Sequence, residues 1–521
     1  MIKNGIFILA VLLNAVGYCQ NYEVKFSEVE KFGMREAHDR VIGKNENSYD
    51  ILRSKYSPFG EATIYVDHFS LTDLMKKFTL EVHKKGTYAN NYITHKTEFE
   101  TAFVLDSSLI VLFSTYNTEK TRNELYAVQF VNGYQVIEPY EVLYLKSKSK
   151  FDKTGFITRY NPKSKTFCVA GEETDPNTGK ENFKVACYDQ NLNNLWKQNL
   201  DLPYKGGRYE LEQMELDHLN RIFLLFRIIL DKSDKIKQGL PNSDYYFSLL
   251  QLSSNLEDDY LETVLKIEDK IIYNMFLNVK EDEEKIFLTG LYQDKKADLK
   301  PHGVYFTEFT KDSIVPSVIK IQSFSEEFIP DFEVESPFTD ISREEPVLQL
   351  IDFIPDSANG YYLLCEYILI NETCSPDYRS GLMNCNYNFY YNDIFVFRFD
   401  STGSLKKHVR VPKKQFTRND GALYSSFAYG ILKNKLVLLY NDHPKNLKPK
   451  NLSQVSFMTD PKKSNLAVVS IDEKGLVEKE FVVNNDKKKT WTKPQLFFNN
   501  GGKAIIMLGE KGRMFQTLEI R

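Results

Sequence analysis

Across 521 residues the chain has only two Trp and six Cys, and its 67 basic residues nearly balance 71 acidic ones, for a net charge of −4. This balance leaves no basic footprint, which excludes nucleic-acid binding as the expected activity. The chain has no GxSxG elbow, HExxH, P-loop or GxGxxG, so the nucleophilic, zinc and phosphate-cradling chemistries those patterns carry lack support. No two cysteines have CxxC spacing and the eight His are scattered, so no metal site and no cofactor is expected. The scarcity of Trp also disfavours a broad sugar-stacking platform.

Long apolar runs are missing beyond the first 20 residues. The start, "MIKNGIFILAVLLNAVGYCQN", has Lys3 followed by an apolar run of 11 residues, Ile6 to Val16. Such a run is too short to span a bilayer and suits the core of a signal peptide. Gly17 and Cys19 are small residues at the positions that precede cleavage before Gln20. Lipidation of Cys19 is the alternative, disfavoured by the bulky Tyr18 before it. The expectation is a signal peptide over 1–19 and an exported mature chain over 20–521. That chain would be periplasmic, outer-membrane-associated or extracellular, with no transmembrane segment.

What the chain has in excess is Phe and Tyr, 37 and 32 of them, which favour pleated, half-buried strands. A polar turn followed by an apolar run recurs eight times, at spacings of roughly 55–75 residues, as in "LDSSLIVLFSTY" (105–116) and "DHLNRIFLLFRI" (217–228). Each copy leads to a run with apolar residues at every second position, such as "ATIYVDHFS" (62–70) or "GVYFTEFTK" (303–311), the mark of a half-buried strand. A further strand-like segment usually follows a short turn. Four meandering strands per repeat predict an all-β fold and a propeller blade. The chain resembles the β-propeller superfamily, in its divergent exported form of Gram-negative envelopes, without the WD40 or kelch repeat signatures. The resemblance implies a single propeller with eight blades, seven being the alternative. The expected blades lie at 36–86, 97–147, 154–204, 210–267, 270–325, 347–412, 422–484 and 491–521. The last repeat is one strand short, and "NYEVKFSEV" (21–29) is expected to supply it and close the ring. A set of separate β-sandwiches is the competing architecture.

Two cysteine pairs sit symmetrically about turns. Cys168 and Cys187 flank "DPNTGK", and facing positions on antiparallel strands are close enough for a disulfide. Cys374 and Cys385 bracket "SPDYRSGLMN" and are expected to staple a loop, with Cys365 left over as a buried strand residue. Asp175, Asn177, Gly179 and Glu181 form a partial calcium-loop pattern without the later bidentate Glu, so a plain turn is the better reading.

Insertions point to function. The long excursions at 231–244, 293–302, 371–393 and 441–465 all fall between strands two and three, and the longest link between blades is 326–346. In a four-stranded meander these emerge on one face, and repeat folds load insertions onto a binding face. That face would carry Tyr378, Tyr387, Phe389, Tyr390 and Tyr391, the carboxylates Asp331, Glu333 and Glu335, and the basic side chains Lys445, Lys448 and Lys450. Tyrosines with mixed charge suit a protein partner. The expected function is therefore a non-enzymatic interaction scaffold or a subunit of an envelope assembly, with peripheral outer-membrane association. The alternative is a glycan-binding or glycan-cleaving propeller with its site at the central pore. The carboxylate clusters "LEDDY" (256–260) and "EDEE" (281–284) read as solvated turns rather than as catalytic pairs.

Overall fold

The computed structural model describes residues 21–58, 61–84, 97–147, 149, 155–174, 181–202, 204, 208–231, 243–254, 260–267, 270–280, 284–294, 300–325, 347–356, 358–376, 383–448, 454–488 and 490–521. The expected signal peptide with Cys19, the turn 175–180, and Tyr378, Asp331, Glu333, Glu335 and Lys450 lie outside them.

Eight antiparallel sheets follow one another along the chain. In seven of them four sequential strands lie side by side. Blade 1, for example, runs Glu36–Lys44, Ser48–Tyr56, Ala62–Ser70 and Lys76–His83. Blade 8 takes three strands from the end of the chain, Trp491–Asn500, Ala504–Lys511 and Met514–Ile520, and its fourth, Val24–Phe26, from the start. Val24 faces Ile520 and Phe26 faces Leu518, so the two ends of the chain meet as expected.

The second strand of each blade carries the apolar run and is covered on both faces. Leu109 to Phe113 are all buried, as are Ile222 to Phe226. Side chains alternate across a strand, so one set packs toward the preceding blade and the other toward the next. The result is a continuous series of clusters between neighbouring sheets. Phe113 and Val128 of blade 2 pack against Leu52 and Val66 of blade 1. Ile110 and Leu112 pack against Phe167 of blade 3. Tyr49 and Ile51 of blade 1 pack against Ile506 and Leu508 of blade 8, which returns the series to its start. First strands of neighbouring blades also touch around the inside of the circle. The fold is an eight-bladed β-propeller.

Two expectations are corrected. The described parts of the excursion 371–393 are strand rather than loop: strands two and three of blade 6 extend into it as Tyr361–Pro376 and Met383–Phe399. The alternation of Tyr and Asn in "NCNYNFYYND" gives a pleated strand both a buried and a wet side, and that pattern is compatible with strand throughout. Cys168 and Cys187 do face each other in register, but they are free thiols. Both are fully buried beside Trp196 and Met214 between blades 3 and 4, where they pack as small apolar groups. Burial pushes Cys187 up to about 12 and Cys168 well above its usual range.

Candidate docking face

The disulfide forms at the other symmetric pair. Cys374 and Cys385 face each other near the end of the blade 6 hairpin and are bonded. Facing residues of antiparallel strands point to the same side. One side of the hairpin therefore carries Ile370 with Phe389, Glu372 with Tyr387, the disulfide, and Met383. Ile370 and Tyr387 are each 49% exposed and Met383 is 60% exposed. The Tyr387 hydroxyl donates to Glu372, which raises the tyrosine above its usual range. Glu372 and the two sulfurs are the one group of possible metal ligands lying close together among the described residues. The bridged sulfurs offer no thiolate, so this group is not a metal centre.

The other side of the hairpin is packed. Gln415–Arg418 adds a further strand against Asn388 to Tyr391. Leu369, Tyr390 and Phe416 form a small core there, joined by Phe457 from the blade 7 insertion. Phe416 N donates to Met458 O at 3.0 Å, and Met458 N donates to Lys414 O at 2.8 Å. The excursions of blades 6 and 7 thus interlock on one face, as their position in the meander predicts. The tyrosines divide accordingly. Tyr387 is exposed and Phe389 half-buried on the open side, whereas Tyr390 is buried against Phe416 at 4.9 Å and is corrected from contact residue to core. Tyr391 is half-buried near Lys413. Lys445 and Lys448 are exposed on and after the 3-10 turn Pro444–Leu447. That turn is held by buried Asn446, which donates to Asp442 Oδ1 at 2.7 Å and to Ser456 O at 2.8 Å.

Beneath the hairpin lies a polar network that the sequence did not suggest. Lys413 Nζ donates to Glu366 Oε1 at 2.5 Å, to Gln415 Oε1 at 2.8 Å and to Tyr391 O at 3.0 Å. Ser426 Oγ donates to Glu366 Oε2 at 2.5 Å. Gln415 Nε2 donates to Asn441 O at 2.8 Å, and the Asn441 side chain accepts from Asn485 and Thr492. Lys413, Glu366, Gln415, Asn441, Asn485 and Thr492 are all fully buried. Burial pushes the Glu366 carboxyl up and the Lys413 ammonium down, and the contact between them opposes both shifts. No short motif marks such a network.

The pore side is occupied by contacts between blades. Gln213 donates to Leu277 O at 2.6 Å, Asn274 to Leu348 O at 3.0 Å and Asn278 to Phe353 O at 3.1 Å. Tyr429 donates to Asp352 at 2.6 Å, and Lys44 of blade 1 donates to Asn499 O of blade 8. These first-strand groups hold neighbouring blades together.

No family model matches the chain, and no curated protein matches it. Solved structures do resemble it. The β-propeller domain of the Trilobed protease from Pyrococcus furiosus is 10% identical, with a TM-score of 0.38 over 87% of this chain and 98% of that one. The WD40 domain of SCAP from fission yeast is 8% identical, with a TM-score of 0.37 over 96% and 98%. The polysaccharide lyase Uly1 is 10% identical, with a TM-score of 0.37 over 85% and 93%. Among the described residues no helix is long and apolar enough to cross a membrane.

Proposed function

We propose that this propeller is an exported, non-enzymatic scaffold that docks a protein partner through the face bearing the blade 6 hairpin, as a subunit or peripheral component of an envelope assembly. One observation carries the reading: a disulfide-bonded hairpin, braced on one side by a third strand and its own small core, presents Ile370, Phe389, Tyr387 and Met383 on the other. A pre-ordered apolar and aromatic stripe binds with less loss of side-chain freedom than a loop would. Tyrosine and methionine are residues that recur in the buried centres of interfaces. A bonded cysteine pair and the leader-like start both fit an oxidising compartment.

The test places a photo-reactive residue at 387 or 383 in intact cells, with position 476 as control. Leu476 is 60% exposed on the turn between strands three and four of blade 7, which is the opposite face. The expected result is one discrete protein adduct from the hairpin positions and none from 476, in the envelope or extracellular fraction. Equal adducts from both faces, or none from either, would overturn the proposal.

A further inference from the structure

On the face opposite the hairpin, an open groove of about 420 Å³ lies between blades 1 and 2, and a shallow surface depression on blade 1 adjoins it. The groove is walled by a single cross-strand row. Asp50 faces His68, and His68 faces Phe78 on the next strand. His68 Nδ1 and Asp50 Oδ1 are 2.8 Å apart, and the imidazole stacks on Phe78 with ring centroids 4.6 Å apart. Apolar side chains including Val66, Val104 and Phe130 form the floor. Gly43 allows this seam: a Cβ there would meet Val104 at 2.4 Å. The rim is made of short turns, with Asn132 and Gly133 both at positive φ, as a two-residue hairpin requires.

The polar groups around this groove separate into two kinds. Its two carboxylates are already paired, Asp50 with His68 and Asp106 with Lys165 Nζ at 2.8 Å. The remaining groups are free: among the described residues, His68 Nε2, Asn45 Nδ2 and the Asn132 amide have no hydrogen-bond partner. Phe78 is 49% exposed at the same place. An exposed aromatic ring beside hydrogen-bonding donors and acceptors fits a ring that is apolar on one side and hydroxylated at its edge. Glu46, at the adjoining depression, provides an acceptor for further hydroxyls.

We propose that the seam between blades 1 and 2 is a saccharide-binding site, with Phe78 as the stacking surface and His68 and Asn132 as hydrogen-bonding groups. The site is separate from the docking hairpin and does not depend on that reading. Saturation-transfer NMR on the full chain tests it, with glucose, galactose, mannose, N-acetylglucosamine and their β-linked disaccharides as probes and spermidine as the cationic comparison. At least one sugar is expected to receive saturation, and its affinity should fall about tenfold in Phe78→Ala and in His68→Gln, a loss of stacking or of one hydrogen bond. Phe78→Trp should retain binding, and so should Tyr387→Ala on the other face. Melting temperatures of the variants confirm that each is folded. Silence from every sugar, binding of spermidine alone, or sugar binding indifferent to both Phe78→Ala and His68→Gln would each overturn the proposal.

Discussion

Removing residues 21–32 should unmake the ring, and the scale of the effect follows from what that segment packs against and hydrogen-bonds to. Tyr22 and Phe32 are 4% and 7% exposed. Tyr22 packs into the cluster between blades 7 and 8, and Phe32 into that between blades 8 and 1, stacked on Phe515 at 4.5 Å. Truncating a buried aromatic side chain costs about 3–5 kcal/mol. The backbone bonds Ser27 N to Thr517 O at 2.9 Å, Phe32 N to Arg513 O at 2.7 Å, and Arg521 N to Glu23 O at 3.0 Å go as well. Each such bond is worth about 0.5–1.5 kcal/mol. The total, on the order of 10 kcal/mol, is comparable with the whole stability of an ordinary domain. The truncated chain should therefore be insoluble or only partly folded.

Two gentler variants give numbers. Phe32→Ala should lower Tm by about 3–5 °C, because a fold of this length loses roughly 1 kcal/mol of stability per degree at the midpoint. Val24→Cys with Ile520→Cys joins two residues that face each other, one at each end of the chain. Closing so long a loop restricts the unfolded chain by at most ~6 kcal/mol, so Tm should rise by several degrees on oxidation and fall back on reduction. Differential scanning calorimetry, with gel mobility to report the bond, measures both. A truncated chain that melts like the full one, or cysteines at 24 and 520 that never bond, would refute closure by the first strand.

Three further outcomes follow from the interior. Lys413→Met and Glu366→Gln should each cost about 3–5 kcal/mol in urea unfolding, since either leaves a buried group without its partner, whereas Glu366→Leu with Lys413→Met should recover most of the loss; singles within 1 kcal/mol of the parent would show the pair is not a buried ionic couple. Burial holds His83 at about 4, below its usual 6.5. The fold thus disfavours the charged ring, so this contribution is intact above pH 6.5 and falls by about 3 kcal/mol as pH drops toward 4. His83→Gln should flatten the dependence of the urea midpoint over that range, and an unchanged slope would count against burial as its cause. Cys374→Ser with Cys385→Ser should cost at most about 3 kcal/mol for so short a loop. The loss should be local, seen as faster hydrogen exchange at 383–391 with the second strands of the other blades unchanged; a global loss of protection would mean the hairpin is integral to the ring.

The architecture was legible because every blade repeats one constraint. A second strand covered on both faces must be apolar throughout, as Leu109 to Phe113 are, and its neighbours need only alternate. The chain ends were legible by subtraction: seven repeats had a fourth strand and the eighth did not. Residues 371–393 were misread for a reason of the same kind. Extended strands that leave the disc have water on one side and a private core on the other, so their Asn and Tyr residues imitate a loop. Tyr390 went with them, since neither its type nor its spacing separates it from Tyr387. What distinguishes the two is Phe416, some 25 residues away, and no local pattern announces that contact.

The two cysteine pairs make the same point about chemistry. Both flank a turn symmetrically, and both meet in register. Spacing therefore predicts two disulfides, and there is one. The difference is surroundings: Cys374 lies on an exposed stretch of hairpin, while Cys168 and Cys187 are sealed between blades 3 and 4. Register brings the sulfurs of both pairs face to face, and register by itself does not bond them. The same holds for Lys413, which is written in a basic, surface-like stretch and ends fully buried because Glu366 and Gln415 are waiting for it. A repeat sequence thus discloses which residues share a strand. The chemistry of a site is set by which strands share an interface, and in this propeller both the blade 6 hairpin and the blade 1–2 groove are built at such interfaces.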